Sequence, residues 1–343
     1  MHETPYDDRD GVIWFNGDFV PWADAKLHVL NHALHYASAV FEGMRAYNGE
    51  IFELTAHNER LHNSGKILGF EVPYTVAELD DACREALSRA GLTDAYLRPI
   101  AWRGPEQMGV SAQKCEIQVA IAVWDWPSYF TPEARMKGID LDWAIYRRPD
   151  PKTAPVSAKA AGLYMICTLS KHAAEAKGYS DALMLDWRGQ LAETTGANMF
   201  LVIDGKIHTP TPDCFLDGIT RRSVIALAKK RGYEVIERAI MPEELSTATE
   251  MFVTGTAFLF ATSTVVSRGV HEIIPPIGGT FWRWFLAAMI MLAFVWRELP
   301  GKSALIRKHW RLIVLLGILQ IGPSAVLFLG LNFTTAINAT LIN

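Results

Sequence analysis

The residues of this chain that could do chemistry begin with Lys159, which lies in a run of small residues at 155–162. Small neighbours allow a flat ring to approach the backbone, and a position just before a predicted helix leaves the lysine amine free to react. Tyr164 follows with a phenol, and Glu193 follows with a carboxylate ahead of an uncharged run. A partly buried carboxylate needs a cation or hydrogen-bond donors as its partner. A protonated pyridine ring would meet that need.

A second group of residues could bind a phosphate. Ile219 and Thr220 begin a predicted helix, where free backbone amides, a hydroxyl and the helix dipole favour an anion. Thr256 supplies another hydroxyl, and Arg60 supplies a positive charge. Together with the amine, the phenol and the carboxylate, these groups predict a binding site for pyridoxal 5′-phosphate (PLP).

Composition argues against several other classes of protein. The chain has 343 residues, 50% of them hydrophobic, and a formal net charge of -4, with no basic aromatic stripe that would indicate a nucleic-acid partner. Its 4 cysteines are scattered without CxxC spacing, which predicts neither a zinc site nor a disulfide framework, so we predict no metal. A reducing cytoplasm fits this pattern, and the acidic N-terminus lacks the apolar segment of a secretory signal.

Turn and capping signals predict strands and helices that position these residues. Asn16-Gly17 predicts a hairpin over 14–20, and the capping box of Thr75 and Glu78 predicts a helix over 75–89. Two further helices are predicted over 162–177 and 219–231. Strands are predicted over 116–124, 182–186, 198–203, 206–208 and, as the last one, 251–255. The fold class is therefore α/β (α+β), with a small domain over 1–130 and a PLP-binding domain over 131–257.

Beyond residue 257 the composition changes to that of a membrane protein. The apolar run at 281–296 is interrupted only by Arg283, and the run at 312–331 carries no charge. Spanning a bilayer takes about 20 apolar residues, which the second run provides, although a buried core helix is the alternative. Basic residues between the two runs predict a cytoplasmic loop. We therefore predict a hydrophobic helical tail over 258–343 that attaches a cytoplasmic enzyme part to the membrane.

At the motifs above the chain resembles the class IV PLP aminotransferases, and within them the bacterial branched-chain amino acid aminotransferases. The likeness runs from about 11 to 257. It is carried by His32-Ala33-Leu34-His35-Tyr36, Val40-Phe41-Glu42-Gly43, Arg60-Leu61-His62-Asn63-Ser64, Tyr96-Leu97-Arg98-Pro99, Met108-Gly109-Val110, and the segments 159–164, 193–198, 218–221 and 255–257. After residue 257 the chain resembles the beginning of an EamA-type drug/metabolite transporter, through Ile274-Pro275-Pro276, Phe281-Trp282-Arg283-Trp284 and 332–343. The two resemblances together imply a truncated PLP-binding domain over 131–257 and a truncated EamA-like transmembrane segment over 258–343.

The resemblance to the aminotransferases implies a fold-type IV enzyme that exchanges amino groups between leucine, isoleucine or valine and 2-oxoglutarate. It implies that Lys159 binds PLP covalently and moves the proton of the substrate Cα, while Glu193 pairs with the pyridine nitrogen and Tyr164 with the phenolic oxygen. The residues implied to hold the phosphate are Arg60, Ile219, Thr220 and Thr256. Those implied to contact the substrate are Tyr36, Phe41, Arg98, Trp126, Tyr129 and Ala257.

The same resemblance implies how the pocket accepts glutamate and how subunits assemble. Tyr36 and Arg98 would help the pocket accept the distal carboxylate of glutamate. The family is homodimeric or larger, with Met108 and Val110 reaching toward the site of the neighbouring subunit.

Two kinds of alternative stay open at this point. D-amino acid transaminase, (R)-amine transaminase and aminodeoxychorismate lyase share the cofactor-binding groups, and the short motif Tyr96-x-Arg98-Pro99 is the local feature that favours the branched-chain enzymes. The alternative from another class is an inactive chimeric membrane-protein fragment. It arises because residues 251–256 are needed both as a strand of the enzyme and to lengthen a first membrane span.

Overall fold

A computed structural model describes residues 5–126, 138–255 and 258–262. These residues belong to one compact unit that spans 1–265. Of the predicted tail, only 258–262 belongs to the described residues. The predicted site residues Tyr129, Thr256 and Ala257 also lie outside the described residues. Within the described ranges, no helix combines the length and the apolar character needed to cross a bilayer.

The first part of the chain forms a seven-stranded antiparallel sheet in the order β2-β1-β7-β6-β4-β5, with β3 paired to β6. The predicted hairpin is confirmed: Asn16 and Gly17 both have positive φ angles, of 51° and 101°, and join β1 to β2. The strands are Val12–Phe15 (β1), Asp18–Pro21 (β2), Ala39–Phe41 (β3), Met44–Tyr47 (β4), Glu50–Ile51 (β5), Ala95–Arg103 (β6) and Ile117–Trp124 (β7).

Helices pack against this sheet. They are His32–Tyr36 (α1), Leu54–Ile67 (α2) and Val76–Ala90 (α3). As predicted, α3 begins at a capping box in which Thr75 and Glu78 exchange hydrogen bonds, and it ends at Gly91, whose φ angle is 66°. Its apolar stripe and that of α2 bury against the strands, with Leu61, Leu79, Leu97 and Ile121 fully enclosed in one core. Burial of each such side chain contributes roughly 1.5–3 kcal/mol.

The second part forms an eight-stranded mixed sheet in the order β13-β12-β11-β10-β9-β8, in which β14 pairs with β11 and with β15. Its first strands are Leu141–Trp143 (β8), Asp181–Leu185 (β9), Leu191–Thr194 (β10) and Asn198–Ile203 (β11). The others are Lys206–Pro210 (β12), Val235–Arg238 (β13), Glu250–Gly255 (β14) and Phe258–Thr262 (β15). The helices of this part are Met165–Glu175 (α4) and Ile219–Lys230 (α5), and a 3₁₀ turn, Ala161–Tyr164, precedes α4.

The end of this sheet differs from the sequence prediction. β14 pairs with β11 as a strand at 251–255 should, but it also pairs antiparallel with β15, from Met251 opposite Thr262 to Gly255 opposite Phe258. The prediction that 251–255 is the last strand is therefore wrong, and 258–262 is a strand where a helical tail was predicted to begin. The physical reason is that β14 without β15 would leave the backbone groups along its edge unpaired. The segment that follows β14 supplies backbone partners for them by forming an antiparallel strand.

Candidate active site

A cleft of about 640 Å³, counted with its solvent-filled mouth, brings together the residues predicted to bind the cofactor. His57 from α2 lines it on one side, and residues of the second sheet and of α5 line it on the other. The predicted cofactor residues among its lining are Arg60, Lys159, Tyr164, Glu193, Ile219 and Thr220.

The backbone of Lys159 is held from two directions. Its N–H donates to Ser64 Oγ over 3.0 Å, and its carbonyl accepts from the Phe41 N–H over 3.1 Å. The buried neighbours Ala158 and Ala160 add no bulk. The side chain then reaches into the cleft, where Nζ donates to the Tyr164 hydroxyl over 2.7 Å. The amine and the phenol are therefore positioned as one unit.

Glu193 stands in the same cleft as a buried carboxylate on β10, 5% exposed. Its Oε2 accepts from Asn198 Nδ2 over 3.1 Å. Its Oε1 lies 2.6 Å from Nη2 of Arg148, yet accepts no hydrogen bond of normal geometry. Burial raises the pKa of Glu193 by more than the positive charges of Arg148 and Lys159 lower it. A buried oxygen without a donor is unusual, and a protonated pyridine nitrogen in the cleft would supply that donor.

The opposite end of the cleft suits a phosphate. Helix α5 begins after Gly218, so the first amides of the helix at Ile219 and Thr220 border the cleft. A Cβ added at Gly218 would collide with Asn198 Oδ1, so a larger residue at this helix start would displace the Asn198 side chain. Arg60 Nη1 donates to the carbonyl of Asp217 over 3.3 Å, which places the guanidinium beside the same amides. The guanidinium, the backbone amides and the Thr220 hydroxyl are groups of the kind that bind an anion.

Arg60 is fixed by a carboxylate that sequence reasoning did not assign to the site. Glu42 is fully buried and accepts from Arg60 Nε over 2.7 Å and from Arg60 Nη2 over 2.8 Å, and His57 Nδ1 lies 2.7 Å from its Oε2. Burial alone would raise the pKa of Glu42, but Arg60 and then His57 hold it at about 2. The spacing of His57 and Arg60 on one helix face is a signal in the sequence. Nothing in the sequence connects Glu42 to them.

An aromatic wall continues from the lysine toward the predicted substrate pocket. Lys159 Nζ lies 5.0 Å from the centroid of the Phe41 ring, and the guanidinium carbon of Arg98 lies 4.8 Å from the same centroid. Arg98 Nη2 donates to the Tyr96 hydroxyl over 2.8 Å, and the Tyr96 ring lies 4.5 Å from that of Trp126. These contacts connect Phe41, Arg98 and Trp126 in a series that begins at Lys159, although none of the three residues lines the cleft itself.

Tyr36 has a different setting. It is 44% exposed, stacks on the His32 ring with centroids 4.5 Å apart, and donates to the Met108 carbonyl over 3.3 Å. Met108 and Val110 are themselves exposed, Val110 by 87%. Tyr36 therefore belongs with the exposed segment that the family resemblance assigns to a subunit contact, and it is not part of the lining of the cleft.

Arg148 and Asn198 are further site residues that the sequence prediction missed. Arg148 lies in an irregular stretch with no spacing signal. The structure shows it buried, with its backbone N–H donating to Leu185 O over 2.8 Å at the edge of the second sheet. Asn198 lies five residues after Glu193 in a run of small residues, where a lone amide was a usable signal. It links the two ends of the cleft, because Nδ2 also donates to Leu216 O over 3.1 Å.

Among the described residues, the group with metal-ligand potential is Asp186, Asp213 and Cys214. Arg188 Nη2 lies 2.6 Å from the Asp186 carboxylate and 2.8 Å from that of Asp213. The guanidinium thus supplies the positive charge that a metal ion would bring, and we assign no metal to this group.

Comparison with known proteins identifies the family. Residues 39–263 match amino-transferase class IV, and residues 247–343 match the EamA-like transporter family. The branched-chain-amino-acid aminotransferase of Pseudomonas aeruginosa is 40% identical over 254 residues, which cover 73% of this chain and 83% of that relative. The corresponding protein of Escherichia coli K12 is 41% identical over 251 residues, covering 71% and 81%. The chain therefore belongs to the class IV aminotransferases.

Solved structures agree. The branched-chain amino acid aminotransferase of Escherichia coli superposes with a TM-score of 0.70 at 41% identity, over 73% of this chain and 84% of that one. An aminotransferase from Brucella abortus bound to PLP gives a TM-score of 0.66 at 29% identity, over 74% and 90%. The mixed α/β fold of these enzymes is thus the fold of the described residues. The two family matches share 247–263, which contains β14 and β15.

Proposed function

We propose that this chain transfers amino groups between branched-chain L-amino acids and 2-oxoglutarate, with PLP as its cofactor. The observation that carries this proposal is the pair of Lys159 Nζ and the Tyr164 hydroxyl, 2.7 Å apart, next to the aromatic wall that contains Phe41, Arg98 and Trp126. An amine for the cofactor, an apolar surface for a branched side chain and a cation for a second carboxylate meet there.

PLP fits the residues of the cleft. Glu193 would hold its ring nitrogen, Tyr164 its phenolic oxygen, and Arg60 with the amides of Ile219 and Thr220 its phosphate. When bound, PLP supplies an aldehyde that links to an amine and a ring that accepts electrons from the substrate Cα. Lys159 Nζ removes the proton from the substrate Cα and returns it later, a task that suits a partly buried amine hydrogen-bonded to a phenol.

The substrate pocket has to accept two unlike side chains, because a transaminase binds its donor and its acceptor in turn. Phe41 and Trp126 would contact a leucine, isoleucine or valine side chain, whereas Arg98 would bind the distal carboxylate of glutamate. Solved relatives support this division: one branched-chain amino acid aminotransferase, 41% identical, is complexed with N-(5'-phosphopyridoxyl)-L-glutamate. Another structure of such an enzyme, at 40% identity, is complexed with 4-methylvaleric acid.

An assay of the purified full-length chain with PLP tests the proposal. We expect formation of glutamate from 2-oxoglutarate with leucine, isoleucine and valine, and little with D-alanine. A preference for D-alanine would favour a D-amino acid transaminase, and release of an aromatic amine with pyruvate from aminodeoxychorismate would favour the lyase. Absence of any transamination in a chain that binds PLP would contradict the proposal.

We also propose that the enzyme part occupies 1–130 and 131–257 as two domains, assembles as a homo-oligomer through the segment of Met108 and Val110, and lies in the cytoplasm. The exposure of Val110, 87%, supports the subunit contact. The match of 247–343 to the EamA-like family supports membrane association through the tail.

Fractionation without detergent tests this proposed attachment. The full-length chain should appear in the membrane or aggregate fraction, because each large apolar side chain left in water costs roughly 1.5–3 kcal/mol. Soluble full-length protein with normal PLP occupancy would contradict it.

A further inference from the structure

Arg148 is a buried arginine for which the proposed cofactor and substrate contacts provide no role. Its backbone N–H donates to Leu185 O over 2.8 Å, which fixes the residue at the edge of the second sheet, directly before the loop of Lys159. The side chain is 9% exposed, lines the cleft and ends with Nη2 2.6 Å from Glu193 Oε1. The guanidinium therefore lies against the carboxylate that would hold the ring nitrogen.

The charges around Glu193 act on its pKa in both directions, and burial outweighs them. Arg148 and Lys159 face the carboxylate with positive charge, and Asp181 faces it with negative charge. Asn198 is a neutral donor to the other oxygen. Burial raises the pKa of Glu193, and the two cations counter only part of that rise. Loss of Arg148 would therefore favour a protonated, neutral Glu193.

Three more titratable groups interact with Arg148 itself. They are the Tyr164 phenol and the thiols of Cys167 and Cys214, and burial raises the pKa of Cys214 to about 12, so that thiol is neutral. Burial raises the pKa of Cys167, so this thiol stays neutral, and Arg148 retains a full positive charge toward Glu193. The pair has imperfect geometry, since Arg148 Nε has no hydrogen-bond partner and Glu193 Oε1 accepts none.

We propose that Arg148 is a positioning residue that keeps Glu193 ionised before the cofactor binds and holds the shared proton on the ring nitrogen afterwards. A carboxylate and a pyridine nitrogen compete for one proton, and the more basic group keeps it. A guanidinium beside the carboxylate lowers the basicity of that carboxylate, so the proton stays on the ring. The inference rests on the proposed function only in placing the ring nitrogen at Glu193.

The first experiment uses the cofactor-free full-length chain in mild detergent, so it does not depend on transaminase activity. Infrared difference spectra between the chain and its Glu193→Gln variant isolate the bands of this carboxyl group. We expect carboxylate bands alone at neutral pH. In the difference spectrum between Arg148→Met and the variant that carries both Arg148→Met and Glu193→Gln, we expect the carbonyl band of a protonated carboxyl group. Arg148→Lys retains the charge and should restore the carboxylate bands.

Arg238→Met is the matched control, because Arg238 forms an ion pair with Glu244, 2.6 Å away, and does not line the cleft. This variant should leave the Glu193 bands unchanged. A protonated Glu193 in the wild-type chain would overturn the inference, and so would an ionised Glu193 in Arg148→Met. If Arg148→Met does not fold, the wild-type chain and Arg148→Lys decide: the inference requires ionised Glu193 in both.

The second experiment measures the proton on the ring directly. PLP labelled with ¹⁵N in its ring should give the nitrogen chemical shift of a protonated ring in the wild-type chain and in Arg148→Lys. In Arg148→Met most of that protonated signal should be lost. Equal shifts in all three would contradict the inference even if transaminase activity fell. A wild-type chain that binds no PLP would instead contradict the proposed function, and the infrared result would still stand.

Discussion

The two parts of this molecule each bury a glutamate against an arginine, with opposite results. In the first part, Glu42 accepts two hydrogen bonds from Arg60 and one contact from His57, all within 2.8 Å, and its pKa falls to about 2. In the second part, Glu193 meets Arg148 at 2.6 Å without a normal hydrogen bond, and its pKa rises. Both carboxylates are almost completely buried.

The difference shows how an ion pair that supports a site differs from one that belongs to the site itself. Desolvation of two charges is offset only by excellent geometry and extra hydrogen bonds, which Glu42 has. Glu193 accepts no hydrogen bond of normal geometry at Oε1, and its side chain lines the cleft. In the first pair, Glu42 accepts two hydrogen bonds from Arg60 and thereby fixes the position of the Arg60 guanidinium, which we predict to bind the phosphate. Under the proposed function, the second pair would be completed by the protonated ring nitrogen of PLP.

The largest expected effect comes from Lys159→Ala, which removes the cation facing Glu193 from the cleft. We expect a loss of transamination of more than about 10³-fold, because general acid–base catalysis at the substrate Cα disappears. Borohydride reduction followed by mass spectrometry should find no PLP adduct on the variant. Lys177→Ala is the control, since Lys177 forms its ion pair with Asp142 on the surface. A wild-type level of adduct in Lys159→Ala would show that another amine binds the cofactor.

The next effect is on stability and tests the comparison directly. Glu42→Gln should destabilise the cofactor-free chain by about 3–5 kcal/mol, the range for breaking a buried pair and leaving its partner charged. Glu193→Gln should cost clearly less, because the charge that it removes is poorly compensated. Urea unfolding of both variants under one condition measures the difference. Equal destabilisation would mean that the two pairs are equally complete.

The pH dependence of unfolding should separate the two carboxylates by sign. The pKa of Glu42 is lowered from 4.5 to about 2, so its contribution is full above 4.5 and is lost as the pH falls toward 2. That shift corresponds to about 3 kcal/mol. The pKa of Glu193 is raised, so Glu193 contributes stability at low pH, and this contribution is lost as the pH rises through the pKa of Glu193 in the folded chain. Glu42→Gln should thus flatten the acid limb, and a Glu42→Gln curve parallel to wild type would refute this assignment.

The smallest effect concerns the predicted substrate pocket at the aromatic wall. Arg98→Ala should lower kcat/KM more for glutamate than for leucine, since only glutamate would use this charge-assisted contact. The difference between the two losses should correspond to about 1.5–3 kcal/mol. Arg103→Ala, on the same strand, is the control, because Arg103 donates to Leu68 O and Gly69 O away from the wall. Equal losses for both substrates would assign Arg98 to the support of Tyr96 alone.

Local signals were enough for much of the fold. The hairpin at Asn16-Gly17 and the capping box before α3 depend on contacts between residues a few positions apart, and both are confirmed. The start of α5 at Ile219 follows in the same way from the glycine before it. Strand β15 was not predicted, because it is stabilised by pairing with β14 and local signals do not report that pairing. Its apolar sequence is equally typical of a membrane-spanning segment.

Local signatures in the amino-acid sequence establish which chemical groups this protein brings to its site: an amine, a phenol, a carboxylate and an anion-binding helix start. How those groups are charged depends on tertiary packing. Arg148 reaches Glu193 from a position 45 residues earlier, and Glu42 reaches Arg60 across 18, with no periodicity that connects either pair. Burial and the geometry of partners set a pKa, and both arise only when distant segments pack together.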